Sequence, residues 1–205
     1  MAITNGYCTL AEMRSQLGLA STDTAEDTYI ETIVEVTSRE IDRITGQFFY
    51  SVGAGSSGGT RYFSSHDGNV VYTAPIQAVT SVNVDDNDNG TWDETWTTTG
   101  SSKRYRLRPV NAAADSESYW QMYAVDGSWP TTDAAIKVVA DFGWAAIPRA
   151  VHEACLIQGS RLFHRRSAPF GIVEGQDAGM MTLRKIDPDV HKLLETYRMP
   201  TTVFA

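Results

Sequence analysis

The chain has 205 residues, 42% of them hydrophobic and 20% charged, and carries a formal net charge of −8. That length and apolar content can build the core of one large domain or two small ones, and they exclude wholesale disorder. No run approaches the ~18 apolar residues of a membrane span, and the opening MAITNGYC lacks the basic and apolar regions of a signal peptide.

Thr9-Leu10-Ala11-Glu12 is a capping-box pattern and predicts a short helix ending near Gly18. A second start is expected at Asp23, with Glu26 three residues on. Tyr29, Ile30, Ile33, Val34, Thr37, Ile41 and Ile44 then recur at helical spacing up to a stop at Gly46. The run SVGAGSSGG over residues 51–59 reads as a flexible linker, because glycine and serine neither bury area nor restrict the backbone. Between residues 60 and 142 the period changes. Short β-branched or aromatic runs, including Val70–Thr73, Val79–Val84, Thr91–Thr99 and Ala135–Phe142, are separated by Gly, Asp, Asn and Pro. Helix returns after Gly143-Trp144, started by Pro148 and carrying Ala150, Val151, Ala154, Cys155, Gln158 and Leu162 as a stripe. Residues 167–183 read as a loop or hairpin, and Asp187-Pro188 caps a last helix with Val190, Leu193, Leu194 and Tyr197 on one side.

The expected class is therefore α+β: a helical bundle core with an inserted antiparallel β barrel or sandwich. Its segments are N-terminal helices over 1–50, the linker 51–59, the β domain 60–142, a core helix over 143–167, and a C-terminal loop and helix over 168–205. Charge is uneven along it. Residues 1–148 hold 9 Lys/Arg against 19 Asp/Glu, whereas 149–205 hold 8 against 6. An acidic body disfavours tight wrapping of nucleic acid but not a surface that DNA slides past.

Enzyme signatures are missing: there is no phosphate-binding glycine loop, HExxH, GxSxG or CxxC, and the four histidines share no ligand spacing. No enzyme and no cofactor are expected. Cys8 and Cys155, each among apolar residues, read as core thiols of a chain made in a reducing compartment. One motif has metal chemistry. Asp85, Asn87, Asn89 and Asp93 follow DxNxNGxxD, the oxygen-rich first half of a calcium loop, but Trp96 stands where the bidentate Glu belongs. A plain acidic hairpin is preferred there over a weak Ca²⁺ site, Asn89-Gly90 being itself a turn signal. Lys103, Arg104, Arg106 and Arg108 alternate with Tyr105 and Leu107. They read as a solvated strand face or an interface to an acidic neighbour before a nucleic-acid reader.

The opening YCTLAEMRSQLGL and the helix IETIVEVTSREIDRITGQFF resemble the start of tailed-phage head-to-tail connector (adaptor) proteins. VVADFGWAAIPRAVHEACLIQGSRLFHRRSAPFG resembles that family's strand, Gly-Trp turn and Pro-initiated helix, and IDPDVHKLLETYR its C-terminal segment. The resemblance implies a virion protein that forms a ring, usually dodecameric, beneath the portal. Such a ring extends the DNA channel and receives a stopper or tail-completion protein. It further implies that the Ile147–Ser167 helix, with Val151, Cys155, Gln158 and Leu162, belongs to the ring core. Ala168–Ala205 would then be a portal-docking arm anchored by Asp187, Pro188, Val190, Leu193, Leu194 and Tyr197. The implied partners are other copies of the chain, the portal and the stopper, with DNA passing through unread and no membrane. The competing reading is a calcium-dependent or carbohydrate-binding β module on a helical base.

Overall fold

The computed structural model describes residues 3–101, 103–166, 172–175, 178–182 and 186–199. Two units emerge, a helical one drawn from Met1–Gly46 and Ile147–Pro200 and a sheet unit from Gln47–Ala146. The first helix, α1 (Leu10–Gln16), starts on the reciprocal cap that the sequence encodes. The Glu12 amide donates to Thr9 Oγ1 at 3.2 Å, and the Thr9 amide donates to Glu12 Oε2 at 2.7 Å. The second, α2 (Asp27–Thr45), begins four residues later than expected. Asp23 is used in a turn instead, accepting from the Ala25 amide, while Arg14 donates to the Ser21 and Asp23 carbonyls and pairs with Asp27. Those carbonyls are thereby committed to a side chain rather than to a helix ladder. Gly46 ends α2 at φ 72°, where a Cβ would be strained.

The third helix, α3 (Arg149–Arg165), packs on α1 and α2, and the fourth, α4 (Pro188–Glu195), on α2 and α3. Ile30, Val34, Ile41, Val151, Ala154 and Leu194 form the apolar centre. Gly159 lets α3 approach closely: a Cβ there would push the Met13 methyl of α1 aside and touch Ile33 of α2. Pro188 occupies the first turn of α4, and Asp187 accepts from the Asp189 amide at 2.9 Å as its cap.

In the sheet unit the strands are β1 (Thr60–Phe63), β2 (Val70–Val84), β3 (Glu94–Trp96), β4 (Tyr105–Arg108), β5 (Tyr119–Ala124) and β6 (Ile136–Phe142). The path is β1-β6-β2-β5-β4, with β3 on β2 and every pair antiparallel. This is an open sheet, which corrects the expected barrel. β1 and β4 end the path, and a single backbone bridge, Thr97 to Arg104, joins the β3 side to β4 among the described residues. The two runs expected at 70–73 and 79–84 are one 15-residue strand. Register shifts after Tyr72, Ile76 and Val79 bend β2, so that its first half serves β5 and its second half β6. Pro75 falls at the first shift, where no ladder donor is needed, and its carbonyl accepts from the Gly143 amide at 2.7 Å.

Ile136, Val138, Ala140 and Phe142 alternate inward along β6, and Trp96 stacks on Trp129 with ring centroids 3.9 Å apart. The stretch 51–59, read as a linker, is tied down. Val52 exchanges backbone hydrogen bonds with Phe142, Ala54 donates to the Asp141 carboxylate at 2.6 Å, and Gly59 fits against the Gly53 and Ala54 carbonyls where a Cβ would collide. A separate hairpin, β7 (Ile172–Gly175) and β8 (Ala178–Thr182), lies in the segment expected as loop or hairpin. The rest of the expected arm, residues 168–171, 176–177, 183–185 and 200–205, lies outside the described residues.

Candidate functional site

Of the six residues expected to dock on a portal, two belong to the core of the helical unit. Val190 and Leu194 are 0% exposed, Leu193 and Tyr197 are half-buried, and Pro188 is exposed. Asp187 is committed as well. Arg161 of α3 donates to its carboxylate at 2.7 Å, and its amide donates to Gln158 Oε1 at 3.3 Å. Gln158, 2% exposed, turns its Nε2 towards Glu40 of α2 at 3.4 Å. One buried amide thus links three helices, which is why a polar residue sits in the apolar stripe. Within the subunit, Val190 and Leu194 pack into the helical unit, and of this set Pro188, Leu193 and Tyr197 lie nearer its surface.

Of the expected ring-core residues, three are buried within the helical unit. Val151 and Cys155 are fully buried with Gln158, and Leu162 is half-buried. What α3 exposes is Arg149, Glu153, His164 and Arg166, and what α2 exposes is Thr28, Thr32, Val36, Arg39 and Arg43. Val36, 54% exposed, is a large apolar side chain in the middle of a polar stripe. Arg166 is held by two bonds to the Glu26 carboxylate, at 2.6 and 2.8 Å, which lift its pKa and lower that of Glu26.

On the sheet unit, the basic cluster divides in two. Lys103 donates to Glu94 at 2.9 Å and lies 3.5 Å from Asp86, and Arg104 pairs with Asp126. Each cation's pKa is raised, first by its hydrogen bond to the carboxylate. Arg106 and Arg108 point the other way from buried Tyr105 and, among the described residues, have no carboxylate partner. Register places Arg106 opposite Tyr123 and Arg108 opposite Gln121, with Tyr72 beyond on the same row. The Arg108 guanidinium lies 4.4 Å from the Tyr123 ring centroid, and Tyr72, itself exposed, stacks on Trp120. The result is a basic and aromatic face on a unit that holds 6 Lys/Arg against 11 Asp/Glu over residues 47–146.

The acidic loop has a structural occupation. Asp85 is buried, which pushes its carboxyl up, but backbone amides of Asn89, Gly90, Asn87 and Asp88 outweigh this and hold it below the usual range. Two of those bonds are 3.1 Å from Asn89 and 2.7 Å from Gly90. Asn89 Oδ1 accepts from the Thr91 amide, and Asn87 and Asp93 are exposed. Trp96, in the place of the missing ligand, is buried in the sheet core. Among the described residues no three His, Cys, Asp or Glu side chains are grouped to hold a metal. Among them, too, no helix is long and apolar enough to cross a membrane.

Sequence reading found the elements that carry these groups but not their pairing. Arg161 with Asp187, and Gln158 with Glu40, are separated by 26 and 118 residues, and no local spacing announces them. The architecture is that of an α+β protein whose helical unit is split in sequence by a sheet. No protein-family model and no curated protein matches the chain. Among solved structures it is similar to a chain in the neck of an empty gene transfer agent (GTA) particle computed with C6 symmetry. That match has a TM-score of 0.59 and 20% identity, over 100% of this chain and 96% of that one. It is also similar to a chain in the neck of a native GTA particle computed with C12 symmetry, with a TM-score of 0.55 and 17% identity, again over 100% and 96%. The fold is therefore the fold of these phage-like neck chains.

Proposed function

We propose that the chain is a non-enzymatic structural subunit of a head-to-tail connector. Copies of it assemble as a ring, dodecameric in its mature form, between the portal of a filled head and the stopper or tail. The observation that carries this reading is the fold shared with GTA neck chains over the full length, in necks computed with six- and twelve-fold symmetry. Head-to-tail contacts between identical subunits close into a ring when the rotation per copy divides a circle. The polar outer faces of α2 and α3, with exposed Val36 on α2, are surfaces the helical unit offers for such contacts. Arg106 and Arg108 supply a basic patch to meet the acidic surface of the next copy. A net charge of −8 gives a channel that DNA traverses without sticking, since tight binding needs cations to displace counterions.

The test is the mass of the purified full-length chain in solution, alone and mixed with portal, followed by electron microscopy. Closed rings, or rings formed on portal, are expected. A chain that stays monomeric at high concentration and leaves portal unbound overturns the reading.

A further inference from the structure

Cys8 and Cys155 stand 147 residues apart in the chain, yet their sulfurs lie 3.5 Å from each other inside the helical unit. Three segments hold them there. The Tyr7 amide, one residue before Cys8, donates to Ser38 Oγ of α2 at 3.0 Å. That hydroxyl donates to the Val34 carbonyl at 2.7 Å and lies 3.7 Å from Cys155 Sγ. Cys155 itself is fixed mid-way along α3 and is wholly buried. The two sulfurs need approach by only about 1.5 Å to reach disulfide bonding distance.

They are not equally reachable. Cys8 is 6% exposed and borders an open cavity of about 540 Å³, lined also by Ile3, Tyr7, Glu12, Ile147 and His152. The cavity is wide enough to bring a small molecule to the Cys8 side of the pair. The contact between the two sulfurs, with burial adding to it, pushes the Cys8 thiol up, and the same contact, outweighing burial, brings Cys155 down.

We propose that Cys8 and Cys155 are a disulfide-forming pair, reduced when the chain folds and closed by a low-molecular-weight disulfide that enters the cavity. Cys8, having lost its proton, attacks one sulfur of the small disulfide. The S–S bond of the reagent breaks, one small thiol leaves, and a mixed disulfide forms on Cys8. Cys155, its proton passing to the departing small thiol, then attacks the Cys8 sulfur and expels that second thiol. Two protein thiols are oxidised, one small disulfide is reduced to two thiols, and the two protons end on those thiols. The bond closes a loop containing the whole sheet unit and staples the N-terminal segment to α3. Pair formation depends on the geometry alone. Its use, to lock a neck subunit once a particle leaves a reducing compartment, rests on the connector reading.

The experiment uses the unmodified full-length chain, held either in dithiothreitol or in glutathione disulfide. It is then denatured, treated with N-ethylmaleimide and weighed intact. Reduced chain should take two maleimides. Oxidised chain should take none, weigh two hydrogens less, run as a monomer on a non-reducing gel and melt about 5–15 °C higher. Dithiothreitol should reverse all of this, and Cys8→Ser should leave one alkylatable thiol under both conditions. Two maleimides after oxidation, a persistent glutathione adduct, or covalent dimers would each overturn the proposal. None of these readouts involves ring formation, so a failed connector reading would leave the staple standing, and the reverse.

Discussion

The helical and sheet units are held together by different means. The helical unit is assembled from two stretches of chain separated by a hundred residues, and its helices are joined by long-range polar links: Gln158 between Glu40 and Asp187, Arg161 to Asp187, and Arg166 to Glu26. The sheet unit is contiguous and relies on an aromatic and β-branched centre around Trp96 and Trp129. Apart from buried Asp85, its charges lie towards the surface, some paired there and some, like Arg106 and Arg108, facing solvent. The contrast separates substitutions that unfold from substitutions that only disconnect.

The largest effect should come from Leu194→Asp. An unpaired charge placed at a site 0% exposed should cost about 4 kcal/mol or more, enough to melt the helical unit in a denaturant titration. Leu193→Asp, one residue away but half-buried, should cost about 1–2 kcal/mol. Equal effects, or lost portal binding with full stability, would make α4 an external anchor rather than a core element. Next is Arg161→Ala, which strips the Asp187 cap of its cation and should cost about 1–3 kcal/mol by thermal melting. A neutral result would mean that the polar links do not hold the helical unit together.

Acid should act on the sheet unit through Asp85. Its folded pKa lies below the ordinary value of 3.8, so its contribution is fully present above that value and is lost as pH falls through the folded pKa. Near-ultraviolet circular dichroism of Asp85→Asn should lose this acid-side step while the parent retains it. Smallest in stability is Arg106→Glu with Arg108→Glu, expected within about 0.5 kcal/mol of the parent. Its consequence should appear in self-association, weakened at low salt more than at high salt, as measured by light scattering. A large stability loss would show these arginines to be part of the sheet's support.

Local chemistry was enough to place most of the elements. The Thr9/Glu12 cap, the Gly46 stop, the alternation along β6 and the Asp187-Pro188 start are each written within a few residues, because caps and period-two faces are short-range. The late start of α2 was not, since Arg14, nine residues before Asp23, claims the carbonyl. The open sheet in place of a barrel was decided by pairing: β1 and β4 end the path with no ladder between them among the described residues, while bent β2 serves β5 and β6 on different stretches. Which side of α4 and α3 faces inward depends on what packs against them. Leu/Val stripes that a sequence offers equally to its own core or to a partner were taken here by its own core. The nearness of Cys8 and Cys155 belongs to tertiary structure entirely, because no periodicity spans 147 residues and only the folding of the N-terminal segment onto α3 brings the sulfurs together.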